Sequence, residues 1–307
     1  MEASVDSVRV GHRRKLWFDV ADPSVEDMEA LAEAMGVPRE ALLGKLSSNY
    51  PHVDSYPEYT KVFTWYLNTS GTGRDLTAEM GPVIAFTNGH SVVTISKTWT
   101  GTSEAVANAF ESPRYGEISL TARVIYLTLS HVMDSYEHFV DRYEAETERF
   151  EREPLPWLRG AYIEAFELRR EASSLLRLLR HLRRLAEALV DEHTEIGIGE
   201  AEKRLFDGIL ERAVGAEETT DLTRETVLDL LGMHMDTLSY DMNRTMRLIA
   251  ALAVIIGVPA VISTLLGASM PSVGGRVFPW VEIGLSLAVM AALAAAFYVR
   301  GWMRAAE

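Results

Sequence analysis

The segment from Glu217 to Leu266 constrains this chain more than any other. It begins as a charged, amphipathic pattern with helical spacing. It ends as LIAALAVIIGVPAVISTLL, Leu248 to Leu266, 19 residues without a charge. That is enough to span the core of a bilayer as a helix. No Gly-Pro break marks the changeover. As one helix the segment would be about 75 Å long at 1.5 Å per residue. A helix wet at one end and in lipid at the other carries the state of a soluble domain to a membrane.

A chain of 307 residues leaves room for one soluble domain beside a small membrane part. The net charge of −14 argues against a nucleic-acid partner, which calls for a basic face. The acids are spread along the chain rather than gathered in a tail. Such a field concentrates cations, and it also suits a plain acidic surface. There is no cysteine, which removes disulfides, thiolate metal sites and Cys nucleophiles and favours hard oxygen ligands for any metal. The N-terminal residues lack the apolar core of a signal peptide.

Residues 1–116 read as an α/β domain. Leu16 to Val20 is a short strand. Asp22-Pro23-Ser24 followed by Glu26 and Asp27 starts a helix, and Gly36 stops it. Pro38 opens a second short helix. Residues 47–58, with Pro51 and Pro57, read as a loop. Thr60 to Leu67 is β-branched and aromatic, a strand. Val83 to Phe86 and Ser91 to Ile95 flank Asn88-Gly89, a hairpin signal. Thr102 starts another helix. Gly71-Thr72-Gly73 lacks the rest of a phosphate-binding fingerprint.

Residues 117–247 read as a helical stalk. Ile118 to Glu151 carries apolar residues at spacings of three and four. Pro154 and Pro156 end it. A second helix runs from about Trp157 to Asp191, Gly197 and Gly199 mark a turn, and Ala201 to Val214 is a third helix. His131, Asp134 and His138 share one helical face at metal-ligand spacing. A solvated polar face explains them better, since no fourth ligand is in view. No catalytic constellation can be placed, and an enzyme is not expected.

Residues 248–307 read as two membrane helices joined by a short outer loop. Asp229, Asp236 and Asn243 are seven apart and lie along one side of the first. Met246, Ala250, Ala253, Gly257 and Ala260 continue roughly the same side. Copies of this helix around an axis would stack carboxylate, carboxamide, thioether and small apolar rings, a cation-selective and gateable arrangement. Burial of small residues against a neighbouring helix explains the same spacing equally well. The second apolar stretch runs from about Val281 to Val299. Arg244 and Arg247 precede the first stretch, Arg300 and Arg304 follow the second, and the loop holds only Arg276. The positive-inside rule then puts both termini in the cytoplasm.

At this point the chain resembles the CorA family of divalent-cation channels over nearly its whole length. The phrases that carry the resemblance are Trp17-Phe18-Asp19-Val20-Ala21-Asp22-Pro23, Pro51-His52-Val53-Asp54-Ser55-Tyr56 with the strand after it, and Asn243-Arg244-Thr245-Met246-Arg247 before the first span. The resemblance implies an α+β membrane protein with an N-terminal α/β/α cytoplasmic domain, long stalk helices and two C-terminal transmembrane helices. It also implies a homopentamer in the cytoplasmic membrane that passes Mg²⁺, and Co²⁺ or Ni²⁺, and is closed by Mg²⁺ bound between cytoplasmic subunits. Asp236, Asn243, Met246, Ala250, Ala253 and Gly257 would line the pore. Asp207 and Glu211, among acids that include Glu217, Glu218 and Asp221, would hold regulatory Mg²⁺.

One departure stands out. The family's Gly-Met-Asn signature at the outer end of the first span reads Gly267-Ala268-Ser269 here. Serine hydroxyls offer fewer oriented acceptors to a hydrated ion than carboxamides do. The loop has no acidic residue, and Arg276 repels cations. The related ZntB branch varies in this loop too, and Gly274-Gly275 is similar to its Gly-Gly. Three functions follow: a Mg²⁺ or Co²⁺/Ni²⁺ channel, a family member of altered selectivity for Zn²⁺ or an anion, and a non-conducting membrane-anchored sensor or scaffold.

Overall fold

In the computed structural model, which describes residues 17–43, 49–70, 77–96, 102–110, 118–152, 159–191, 199–269 and 278–302, five strands form one sheet. They are β1 (Trp17–Ala21), β2 (His52–Tyr56), β3 (Tyr59–Ser70), β4 (Thr77–Thr87) and β5 (Val92–Ser96), ordered β1-β5-β4-β3-β2. β1 runs parallel to β5, and the other pairs are antiparallel. The helices are α1 (Val25–Met35), α2 (Arg39–Leu43), α3 (Thr102–Phe110), α4 (Leu120–Arg152), α5 (Arg159–Val190), α6 (Glu200–Ser269) and α7 (Phe278–Val299).

Local chemistry sets the first elements. Ser24 caps α1: its hydroxyl accepts from the Asp27 N–H at 3.1 Å, and the Ser24 N–H donates to the Asp27 carboxylate at 2.9 Å. This reciprocal pair satisfies two end groups at once. It also holds the Asp27 carboxyl below its ordinary range. Gly36 ends α1 with φ of 66°, where a side chain would be strained. At the β4–β5 turn the Asn88 side chain accepts from the His90 and Ser91 N–H groups, and Gly89 takes φ of 82°.

Alternation then sorts the strands' side chains to two faces. Phe63, Ile84, Phe86 and Val93 pack on Met28, Leu31 and Met35 of α1. Val62 and Ala85 point the other way, into a core with Ile125, Leu129 and Tyr136 of α4, Leu179 and Leu182 of α5, and Phe206 and Ala213 of α6. The sheet is thus covered by helices on both faces. The Ser135 hydroxyl accepts from the Leu67 N–H at 3.2 Å, tying α4 to β3.

Two expectations need correction. Residues 52–56, read as loop, are strand β2, paired with β3 from His52↔Phe63 to Tyr56↔Tyr59. Pro51 and Pro57 flank the strand rather than interrupt it, so neither removes a ladder hydrogen bond. The helix expected to end at Val214 does not end: α6 is continuous for 70 residues. Gly215 costs about 1 kcal/mol of helix propensity relative to Ala, but Ala213 and Ala216 beside it are buried and hold the turn.

The described residues divide into two compact units. Those up to residue 152 and from 159 to 230 form one, and those from 231 to 302 the other. α6 is long and apolar enough to cross a membrane, and α7 carries a shorter apolar stretch, Ile283–Val299.

α5 meets the β2 side of the sheet through Tyr50 and His181, whose rings stack with centroids 4.2 Å apart. Burial, then Arg184, then His52, holds the His181 imidazole below its ordinary 6.5. The folded chain therefore takes up this proton less readily than the unfolded chain. The resulting stability is complete above pH 6.5 and is lost as pH falls through the lower folded-state value. His181→Phe keeps the ring contact and removes the titration. Thermal unfolding of both proteins on either side of pH 6.5 should show the parent losing more stability on acidification; parallel losses contradict this.

Candidate functional site

The membrane part of α6 has two sides. Ala251 and Ile255 are 0% and 7% exposed, and Pro259 is buried one turn further on. Spacings of four put these three on one ridge. Near the same ridge, the Ser263 and Ser286 hydroxyls meet at 2.8 Å and join α6 to α7. At about 100° per residue, Met246, Ala250, Ala253, Gly257 and Ala260 centre on the opposite side. All five are exposed, Met246 at 63%. A Cβ added at Gly257 would meet nothing within 4 Å. The candidate pore residues thus lie on the part of α6 that a single chain leaves uncovered, together with Leu252, Ile256 and Val261 beside them.

Asn243 and Asp236 are also exposed. In the first unit, Asp207, Glu211, Glu218, Glu225 and Asp229 are exposed and follow one another on α6 at spacings of four or seven. They form a carboxylate stripe on that helix. Glu225 belongs to this series, and its spacing from Glu218 and Asp229 was legible in the sequence. Of the acids expected to hold metal, Glu217 is engaged elsewhere: Arg180 and Arg183 of α5 each donate to it at 3.0 Å. Asp221 pairs with Arg224 at 2.7 Å. Asp207 and Glu211 make no ion pair among the described residues. Nor, among those residues, do three carboxylate or imidazole groups converge as a metal site would need.

His131, Asp134 and His138 do not form a metal site either. His131 stacks on Tyr66 with centroids 5.1 Å apart, and Asp134 binds Arg212. Arg212 is the residue that sequence reasoning missed. From α6 it donates to both Glu137 oxygens, at 2.8 and 2.6 Å, to Asp134, and to the Ser130 hydroxyl at 3.2 Å. Glu137 first, then Asp134, against some burial, push its pKa above the ordinary value. A guanidinium fork matched to a carboxylate in this way fixes orientation as well as charge. It pins the start of α6 to α4. No local signal could reveal a partner 75 residues away.

The helical backbone runs through Gly267, Ala268 and Ser269. Their side chains, and Gly274, Gly275 and Arg276 of the loop, lie outside the described residues.

The chain thus joins an α/β unit to long helices, one of them long and apolar enough to cross a membrane. Comparison places it further. The family model for the CorA-like Mg²⁺ transporter protein matches residues 14–300, and the chain belongs to that family. The complete structure of the CorA magnesium transporter from Methanocaldococcus jannaschii is similar at a TM-score of 0.78 and 17% identity, over 97% of this chain and 95% of that one. The full-length CmaX protein is similar at 0.71 and 18% identity, over 95% and 91%. The ZntB cytoplasmic domain from Vibrio parahaemolyticus is similar at 0.58 and 12% identity, over 74% and 91%. No curated protein matches the chain by sequence. The fold is that of a CorA-family divalent-cation transporter.

Replacing Arg212 with Ala would leave Glu137 and Asp134 without their shared cation. The free energy of unfolding is expected to fall by about 1–2 kcal/mol, discounted because the group is partly solvated. The loss should shrink at high salt, which screens the pair. Denaturant unfolding at two ionic strengths reads both effects; no loss, or a loss independent of salt, contradicts the assignment.

Proposed function

We propose that the chain is a homopentameric channel for divalent cations, Mg²⁺ foremost and Co²⁺ or Ni²⁺ beside it, in the cytoplasmic membrane. α6 and α7 are its two spans, and both termini are cytoplasmic. The observation that carries this reading is the uncovered face of α6 opposite the buried Ala251–Ile255 ridge. Small and apolar groups there suit a narrow passage surrounded by copies of the same helix. The carboxylate stripe that ends at Asp229, with Asp236 seven residues further on, raises the local concentration of cations before the neck. Asn243 offers carboxamide oxygens to a hydrated ion, and Met246 to Gly257 form an apolar constriction that closes by dewetting.

The outer mouth is Gly267, Ala268 and Ser269. Regulatory Mg²⁺ sits at Asp207 and Glu211 between subunits, since Mg²⁺ needs only one or two carboxylates beside its waters. A second reading is altered selectivity, for Zn²⁺ or an anion. It is favoured by the serine in place of asparagine and by Arg276 in the loop.

Flux into liposomes of the purified protein separates the readings. Uptake of Mg²⁺ and Co²⁺, increased by Ser269→Asn, is the expected result. Flux of Zn²⁺ or chloride alone supports the second reading. Silence under every gradient rejects conduction and leaves a membrane-anchored sensor.

A further inference from the structure

The neck of α6 is rich in sulfur. Four of the chain's 12 methionines lie there: Met233, Met235, Met242 and Met246, each at least 56% exposed in the single chain. Methionine belongs to the residues most often buried, so such a group on one helix calls for a reason. Met235, Met242 and Met246 follow at spacings of seven and four and share one side of α6. Met242 and Met246 are neighbours on that side, with Cβ atoms about 5–6 Å apart as for any such helical pair. Their side chains are flexible enough for both sulfurs to reach one ion. The chain has no cysteine, so methionine thioethers are its only soft sulfur donors. Asp236 and Asp241 stand beside them in the sequence and favour a positive ion over a neutral ligand.

Soft cations prefer thioether sulfur, whereas Mg²⁺ keeps to oxygen and water. We propose that Met242 and Met246, one turn apart on α6, form a thioether site for a soft monovalent cation, Cu⁺ or Ag⁺. The site stands on α6 alone and does not depend on conduction. If α6 does line a pore, an ion held there would obstruct it. The competing explanation is apolar packing against another copy of the chain, for which leucine would serve as well as methionine.

The test uses the full chain in nanodiscs of zwitterionic lipid, in chloride-free buffer, with Ag⁺ as the probe. Titration calorimetry is expected to show saturable binding that excess Mg²⁺ does not displace. The double variant Met242→Leu/Met246→Leu preserves size and hydrophobicity and should weaken binding at least about tenfold, the equivalent of one lost favourable contact. Met80→Leu, at an exposed methionine elsewhere, should bind like the parent. In the unaltered protein, the Met242 and Met246 methyl resonances should shift on adding Ag⁺ while that of Met80 stays, which covers the case of a misfolded variant. Equal binding by the double variant, absence of saturable binding, or methyl shifts spread evenly over all methionines overturns the proposal. Absence of any ion flux through the unaltered protein, with Ag⁺ binding present, counts against the channel reading and leaves this one standing.

Discussion

A helix in lipid has no use for water-driven burial, so which of its sides is covered depends on what else it touches. Within one chain, α6 buries a single ridge, Ala251 to Pro259, and leaves the opposite side bare. Everything proposed for transport depends on that asymmetry. A span covered on all sides would be an anchor. A span bare on all sides would have no defined orientation. The serine pair at Ser263 and Ser286 helps fix which side faces inward, because two hydroxyls in an apolar medium do best when they meet each other.

The aqueous unit is built to hold the start of the same helix. Phe206 and Ala213 place α6 in the core shared by the sheet, α4 and α5. Arg212 and Glu217 then add charge-assisted contacts to α4 and α5 respectively. Apolar burial gives these helices their affinity, and the guanidinium fork gives them register, since it binds in one orientation only. A change in the charge around the start of this helix is therefore felt by the core of the same unit.

Much of this was legible in the chain. The Ser24–Asp27 cap, the Gly36 stop, the Asn88-Gly89 turn and the uncharged run from Leu248 are local signals, set by residues a few positions apart. β2 was not legible, because Pro51 and Pro57 read as breakers until the strand's pairing with β3 shows that both lie beyond it. The continuity of α6 was hidden by Gly215, whose cost is offset by tertiary burial that no window of sequence displays. The Arg212 contacts and the Ala251 ridge depend on partners distant in the chain. The small-residue periodicity of the span was visible, but it fitted a pore face and a packing face equally.

The absence of cysteine makes the decisive measurement direct. Single cysteines placed at Ala250, Ala253 and Gly257, and at Ala251 and Ile255, can be challenged in liposomes with a charged, water-borne thiol reagent. The account predicts that the first three react and lose cation flux, while the two on the ridge stay unmodified. Reaction at Ala251 and Ile255 with protection of Ala250, Ala253 and Gly257 would contradict it, as would equal reactivity at all five.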